Sequence, residues 1–287
     1  MTMLRQTARF LPAVACAGLL LGASPLRAAE PTPASSRVMN LTYEVYLGGM
    51  HIFTMNVDMA NRPGSYSVAA AGGTQGFIGW LYKWDIKLAA EGRDQAGAIR
   101  PKTYASDTDW QKNPKTMKLT FEGGGKYDVA RNPPEEIDVA DEGEPPASLP
   151  EETVDPLSLA VAATRAFAEN GKCEQMLPVF DGKRRYDLKI KDLGPATIEK
   201  NRYSIYAGPA ARCGFTMERI SGFSKKRRYS RQWDEETSEP PTIYVAPIRD
   251  GFPPVPVRYE GAIALGAIMI HLTKADVRTE LAESAPR

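Results

Sequence analysis

Alternation of apolar and polar residues with a period of two runs through most of this chain and constrains its fold more than any other feature. Apolar and polar side chains alternate along Leu41–Leu47, and Phe53–Met59 repeats the pattern. A period of two sends successive side chains to opposite faces of a β-strand. Gly48 and Gly49 lie between the two segments and permit the tight turn of a hairpin. The pattern therefore predicts an antiparallel hairpin with one buried and one exposed face.

Similar segments recur to the end of the chain. Gln175–Phe180 and Lys183–Lys191 are separated by Asp181-Gly182, a dipeptide typical of hairpin turns. Further predicted strands cover 65–71, 84–88, 115–122, 126–130, 202–207, 215–220, 227–233, 242–246, 255–260 and 267–274. The predicted fold is mainly β: a large curved antiparallel sheet forming an open or spiral β-barrel with one main amphipathic helix.

The one convincing helix is predicted over residues 156–170. Asp155 is a favourable N-cap, Pro156 suits the first helical position, and Gly171 is a natural stop. We expect this helix to pack against the sheet.

The expected organisation is a single β-rich domain over residues 41–274. A flexible segment, 30–40, is expected before it and a tail, 275–287, after it. Residues 132–152 are acidic and rich in proline, and we expect them to form an exposed, mobile loop within the domain.

Residues 1–29 are typical of a secretory signal peptide. Arg5 and Arg9 precede an apolar stretch over 11–23, and small residues follow at Ala28 and Ala29. The stretch is too short to cross a bilayer, which disfavours a membrane anchor, and the residues before Cys16 disfavour a lipoprotein. We therefore expect an exported protein that is not integral to the membrane.

Two cysteines, Cys173 and Cys213, remain once that segment is removed. In an exported protein such a pair is expected to form a disulfide. The alternatives are two buried thiols or part of a zinc site. His51 and His271 are the only histidines and lack ligand spacing to either cysteine, so no metal or cofactor is expected.

The densest apolar feature is the aromatic cluster of residues 77–84. As a strand it would place Ile78, Trp80, Tyr82 and Trp84 on one face. As a short helix it would place Phe77, Trp80, Leu81 and Trp84 on one face instead. Either face is compatible with a cavity for an acyl chain. Core packing is the favoured interpretation, because aromatic side chains dominate protein cores.

A basic cluster consists of Lys225, Lys226, Arg227 and Arg228. It suits contact with anionic lipid headgroups, although charged residues are also common on the edge strands of sheets. Formal net charge gives no reason to expect nucleic acid as a partner: removing the three arginines of residues 1–29 from a chain of net charge +1 leaves −2.

Motifs of catalysis are missing from the sequence. No nucleophile elbow, zinc-protease motif or Cys–His pair is evident. Asp107 and Asp109 form a carboxylate pair of the kind used in glycoside hydrolysis, but paired acids on a polar strand are usually only solvated. We therefore expect no enzyme.

Several segments resemble the exported bacterial proteins grouped as domain of unknown function 3108. The resemblance rests on Leu41–Gly49, Ala69–Gly79, Ile99–Tyr104, Asp155–Ser158 and Val179–Leu188, and it extends over most of Leu41–Lys274. It implies a periplasmic envelope protein of Gram-negative bacteria built on a highly curved antiparallel sheet. More distantly, the chain is similar to the half-barrel lipoprotein carriers of the Lol system. The resemblance supplies no catalytic or ligand-binding residues.

The resulting hypothesis is a non-catalytic periplasmic protein of the cell envelope that holds a lipid or lipoprotein acyl chain in the concave face of the sheet. The alternatives are a scaffold for envelope protein partners and a hydrolase acting on envelope polymers. A dry apolar cavity would favour the carrier, an exposed apolar patch the scaffold, and a polar cleft with converging acids the hydrolase.

Overall fold

The computed structural model describes residues 35–95, 98–134, 143–223, 240–263 and 266–281, which form one large antiparallel sheet and two helices. The strands are β1 Ser35–Leu47, β2 Met50–Arg62, β3 Ser65–Thr74, β4 Trp84–Gln95, β5 Ala98–Trp110, β6 Asn113–Gly123, β7 Lys126–Asn132, β8 Gln175–Phe180, β9 Arg185–Ile198, β10 Gly208–Ser221, β11 Thr242–Ala246, β12 Val255–Ile263 and β13 Gly266–Leu281. Helix α1 covers Gly76–Leu81 and helix α2 covers Pro156–Asn170.

Each half of the sheet is a meander, and the two halves join through β1 and β13. Strands run in the order β7 to β1, then β13 down to β8. The β1–β13 seam extends from Ser35 opposite Leu281 to Leu47 opposite Ile268. The expected flexible segment 30–40 and tail 275–287 are therefore wrong for residues 35–40 and 275–281. Residues 35–40 pair with residues 276–281 in the sheet, and Met39 is fully buried. Local sequence patterns do not reveal this pairing, because it joins the two ends of the chain.

Helix α2 lies against the concave face of the sheet, with the bounds that the sequence predicts. Asp155 caps it by accepting hydrogen bonds from the backbone N–H groups of Leu157 and Ser158, both at 2.9 Å. Gly171 ends it in the left-handed conformation, as expected of a C-terminal glycine. Arg165 forms an ion pair with Asp94 of β4, which fixes the middle of the helix to the first half of the sheet.

The sheet curls until its two edge strands, β7 and β8, lie close together without pairing. Tyr127 of β7 packs on Phe180 of β8 with ring centroids 4.8 Å apart, and Arg131 donates to the carbonyl of Gly182. Leu119 and Phe180 are fully buried in this junction. The predicted curved antiparallel sheet in an open barrel is thus confirmed.

Two local predictions differ from the structure. The strand predicted over residues 202–207 is not present. Ala98–Trp110 forms a strand that the alternation does not predict, because its charged residues obscure the pattern. In the loop predicted over 132–152, residues 135–142 lie outside the described part. Its second half is packed rather than free, because Leu149 is buried and its N–H donates to the Gly125 carbonyl at 2.8 Å.

The predicted disulfide between Cys173 and Cys213 is confirmed. The two Cα atoms are 5.6 Å apart, and the bond closes a loop with a sequence separation of 40. It joins the segment after α2 to β10 on the inner face of the sheet.

Candidate functional site

An apolar cavity of about 310 Å³ separates α2 from the concave face of the second half of the sheet. The helix forms its roof, strands β9 to β12 form its floor, and the disulfide closes one part of its wall. The lining residues are Pro156, Leu159, Ala160, Ala163, Thr164, Phe167, Cys173, Gln175, Tyr186, Leu188, Ile190, Cys213, Phe215, Met217, Ile243, Val245 and Pro256.

The floor of the cavity follows from the strand alternation. Ile190 of β9 lies opposite Phe215 of β10, and Leu188 lies opposite Met217. Ile243 of β11 lies opposite Cys213. The period of two therefore directs a continuous block of aliphatic and aromatic side chains inward. Phe215, Met217 and Ile243 are only half-buried, because the helix does not fill the space above them.

Polar groups in the lining are few and engaged with the protein itself. Thr164 Oγ1 donates to the carbonyl of Ala160 at 2.8 Å, the usual way in which a helical threonine satisfies its hydroxyl. Gln175 Nε2 donates to the carbonyl of Ala163 at 3.5 Å. Burial raises the pKa of Tyr186 above its ordinary value, so its phenol is neutral. Among the described lining residues, none carries a charge at neutral pH.

Both ends of the roof helix are anchored. At the start, Ser158 Oγ donates to Asp155 Oδ2 and also hydrogen-bonds Tyr66 Oη of β3 at 2.6 Å. Burial raises the pKa of the Asp155 carboxyl, and its hydrogen bonds with Ser158 and Leu157 oppose that shift. At the other end, the bond from Cys173 to Cys213 holds the chain to β10. The roof therefore has covalent and hydrogen-bonded attachments to the sheet on both sides of the cavity.

The aromatic cluster of residues 77–84 does not line this cavity. Residues 76–81 form α1 at one end of the sheet, where Phe77 and Trp80 are 65% and 78% exposed. Tyr82 is also exposed, whereas Ile78 and Trp84 are half-buried. Core packing is therefore wrong for Phe77 and Trp80: α1 connects β3 to β4 outside the sheet, and no element covers it among the described residues.

The predicted basic cluster, Lys225, Lys226, Arg227 and Arg228, lies outside the described residues. A second, shorter basic run, Lys183–Arg185, lies within the described residues and is partly paired within the protein. Arg185 is buried beside Asp187 with an N–O distance of 2.6 Å, and Arg184 pairs with Asp181 at 3.2 Å. This run does not form a basic face.

Sequence reasoning missed a cluster of rings around the β1–β13 seam. The Tyr46 ring lies 5.4 Å from that of His51 and 5.1 Å from that of Tyr203, measured between centroids. His271 stacks on Tyr203 at 5.8 Å. Burial, and then the nearby Arg258 guanidinium, lower the pKa of His271. Strand register brings Tyr46, His51 and His271 together, and the connection between β9 and β10 adds Tyr203.

Asp107 and Asp109 lie on β5, and neither borders the cavity. Within the described ranges, no group of three or more potential metal-ligating side chains occurs. No helix among the described residues has both the length and the apolar character needed to cross a membrane.

The chain is similar to one family of proteins and to a solved structure. A crystal structure of a beta-barrel-like protein of domain of unknown function DUF1849 from Brucella abortus matches with a TM-score of 0.43 and 11% identity, covering 85% of this chain and 98% of that one. No curated protein sequence matches the chain. The family model described as "Protein of unknown function (DUF3108)" matches residues 42–273. That range holds most of the described sheet, α2 and every residue lining the cavity, and the chain therefore belongs to the DUF3108 family.

Proposed function

We propose that this protein is a non-catalytic component of the bacterial cell envelope that binds a lipid acyl chain in the cavity between α2 and strands β9–β12. One observation carries the proposal: the cavity measures about 310 Å³ and its described lining has no charged side chain. Ligand pockets in proteins typically range from about 300 to 1,000 Å³. A cavity lined by apolar groups stays dry and accepts apolar ligands.

The chemistry of the lining favours a hydrocarbon over a polar ligand. Each methylene group moved from water into such a site contributes roughly 0.8 kcal/mol. Thr164 and Gln175 direct hydrogen bonds to carbonyls of α2 itself. The lining also lacks the carboxylate, histidine and lysine side chains that general acid–base catalysis most often uses, which supports binding rather than reaction.

Location outside the cytoplasm is part of the same proposal. Residues 1–29 have the pattern of a secretory signal peptide, and a disulfide suits an oxidising compartment. N-terminal sequencing of the protein from fractionated cells should begin near Ala29 or Glu30, in the periplasmic fraction. Retention of Met1 in a cytosolic fraction would overturn this part of the proposal.

Binding is tested with a fluorescent fatty acid and a variant that fills the cavity. Ala163 lies on the cavity face of α2, so Ala163→Trp should occupy the space and weaken probe binding at least about tenfold, the equivalent of about 1.4 kcal/mol. Ala168→Trp is the matched control, because Ala168 is exposed on the same helix and does not line the cavity.

The melting temperatures of both variants must stay near that of the parent for the comparison to hold. If Ala163→Trp unfolds, Met217→Phe offers a smaller filling change on the opposite wall. Absence of probe binding by the parent, or equal binding by the folded cavity-filling and control variants, would contradict the acyl-chain proposal.

A further inference from the structure

One end of the sheet carries a band of exposed apolar side chains. Successive connections of an antiparallel meander alternate between the two ends of the sheet. The β1–β2 turn, α1 between β3 and β4, and the β5–β6 turn are every second connection, so all three lie at this end. The band, here called the aromatic rim, consists of Met50, Phe77, Trp80, Leu81, Tyr82 and Trp110, each at least 46% exposed. Contiguous exposed apolar surface of this kind marks interaction sites.

The rim is built on a defined platform. Thr74 Oγ1 donates to the carbonyl of Tyr82 and accepts from the N–H of Trp84, both at 3.0 Å. A Cβ on Gly79 would lie 2.7 Å from the Thr74 carbonyl oxygen, so only glycine lets α1 approach β3 this closely. The backbone of α1 is therefore held tightly while its large side chains project outward.

Ring contacts extend the platform across neighbouring strands. Half-buried Trp84 packs against Phe53 with centroids 5.4 Å apart, and against Trp110 at 6.2 Å. Tyr82 stacks beside Trp110 at 6.4 Å. The exposed rings are thus continuous with buried ones and share a common base.

The turns that form the rim contain two lysines. Residues 46–51, 75–83 and 110–113, which make up its turns, contain Lys83 and Lys112 but no carboxylate. Asp85 and Asp109 lie further into the strands, and Lys83 pairs with Asp85 at 3.2 Å. Gln111 and Lys112 both have positive φ, 51° and 65°, in a turn that ordinarily selects Asn-Gly. Such strained residues cluster at functional sites.

The opposite end of the sheet is different. Charged residues lie in or beside its β2–β3, β4–β5, β6–β7 and β11–β12 connections: Arg62, Asp94, Glu122, Lys126, Arg249 and Asp250. The β9–β10 connection, which also joins strands at this end, contributes the aliphatic Ile205, but none of the exposed aromatic residues in the described part of the chain lies in these connections. Exposed aromatic surface is therefore a property of one end rather than of turns in general.

We propose that the aromatic rim docks on the surface of a phospholipid bilayer, with its tryptophan and tyrosine rings at the level of the headgroups. Trp and Tyr favour that depth because each ring is apolar with one polar atom. Lys83 and Lys112 suit anionic headgroups. The six side chains belong to α1 and to neighbouring strand ends and are exposed together, an arrangement that fits a fluid surface without demanding a complementary shape.

Docking is tested by cosedimentation of the parent with vesicles of phosphatidylethanolamine and phosphatidylglycerol. The parent should bind. The double variant Phe77→Ser/Trp80→Ser should bind at least about tenfold more weakly, because each substitution removes apolar area that would otherwise leave water on docking. Met176→Ser is the matched control: Met176 is 59% exposed on β8, away from the rim. It should bind vesicles like the parent.

Charge is tested separately. The double variant Lys83→Gln/Lys112→Gln should weaken binding by a smaller factor, and only on vesicles that contain phosphatidylglycerol. The difference in affinity between this variant and the parent should shrink as salt is added. The conservative variant Trp80→Tyr should retain most of the binding. If the rim instead inserted Trp80 into a protein pocket shaped for an indole ring, this variant would lose binding.

The proposal would be overturned if the parent failed to sediment with the vesicles of phosphatidylethanolamine and phosphatidylglycerol. Parent-like binding by the folded Phe77→Ser/Trp80→Ser variant would overturn it too. Self-association through the rim without vesicle binding would also overturn it. The outcome is independent of the cavity, because the rim variant should bind the fluorescent fatty acid in solution like the parent.

Discussion

The cavity beneath α2 and the aromatic rim are both apolar, yet they arise from different parts of the sequence and have different surroundings. The cavity is lined by alternating strand residues and roofed by a helix anchored at both ends. The rim is formed by α1 and by the ends of neighbouring strands, and its most exposed side chain, Trp80, is 78% exposed. The difference shows that apolar density alone does not locate a core: the strand alternation faces inward, whereas the aromatic connection projects outward.

The largest effect should come from the covalent anchor of the cavity. Replacing Cys173 and Cys213 together by alanine should lower the free energy of unfolding by about 4 kcal/mol, because the bond restricts the unfolded chain over a separation of 40 residues. Urea denaturation measures this change. Vesicle binding by the folded variant should stay unchanged, because the rim lies on other strands. Two titratable thiols in the native parent protein would contradict the prediction.

A smaller loss should follow from removing the cap of the roof helix. Asp155→Ala should reduce the free energy of unfolding by about 2 kcal/mol, because two backbone donors and Ser158 lose their acceptor. Asp155→Asn is the control, since it keeps an acceptor and removes a charge that burial disfavours. Asp155→Ala should lower the affinity for the acyl probe. Neither variant should change binding to vesicles. Equal stability of the two variants would show that the cap does not support the cavity.

Acid should act on the β1–β13 seam, which joins the half of the sheet that borders the cavity to the half that carries the rim. The pKa of His271 in the folded protein is lowered, so the unfolded chain takes up the proton first as the pH falls. The contribution of the neutral ring is therefore complete above about pH 6.5 and is lost progressively below it. Unfolding measured from neutral pH to pH 5 should show this decline, and His271→Gln should reduce it. An identical pH profile in the variant would assign the decline to other groups.

The smallest effect on stability should come from the most exposed ring. Trp80→Ala should change the free energy of unfolding by no more than about 0.5 kcal/mol, as expected for a surface side chain. Phe167→Ala, which removes a half-buried ring from the cavity wall, should cost more in the same urea experiment. A loss of about 3–5 kcal/mol for Trp80→Ala would show that the rim is covered in the folded protein and would erase the contrast between the two surfaces.

Local patterns anticipated much of the scaffold. The β1–β2 hairpin, α2 with both caps, and the Cys173–Cys213 bond each depend on interactions visible in a short stretch of sequence or on a restricted choice of partners. The candidate site was foreseen only as a concave face. Its lining combines residues from α2 and five strands, and no spacing along the chain indicates that Phe167 and Met217 border the same space.

The sequence by itself determined the strand period, the capped helix, the paired cysteines and the family, because each is encoded in neighbouring residues or in a recognisable series of segments. Only the tertiary structure decided that Ser35–Asn40 closes on the last strand, that α2 leaves an unfilled cavity, and that Phe77 and Trp80 face outward. These outcomes depend on long-range pairing and on how the sheet curls around the helix. An aromatic side chain has the same apolar area in a core as at an exposed turn, and its position relative to the sheet decides whether that area is buried.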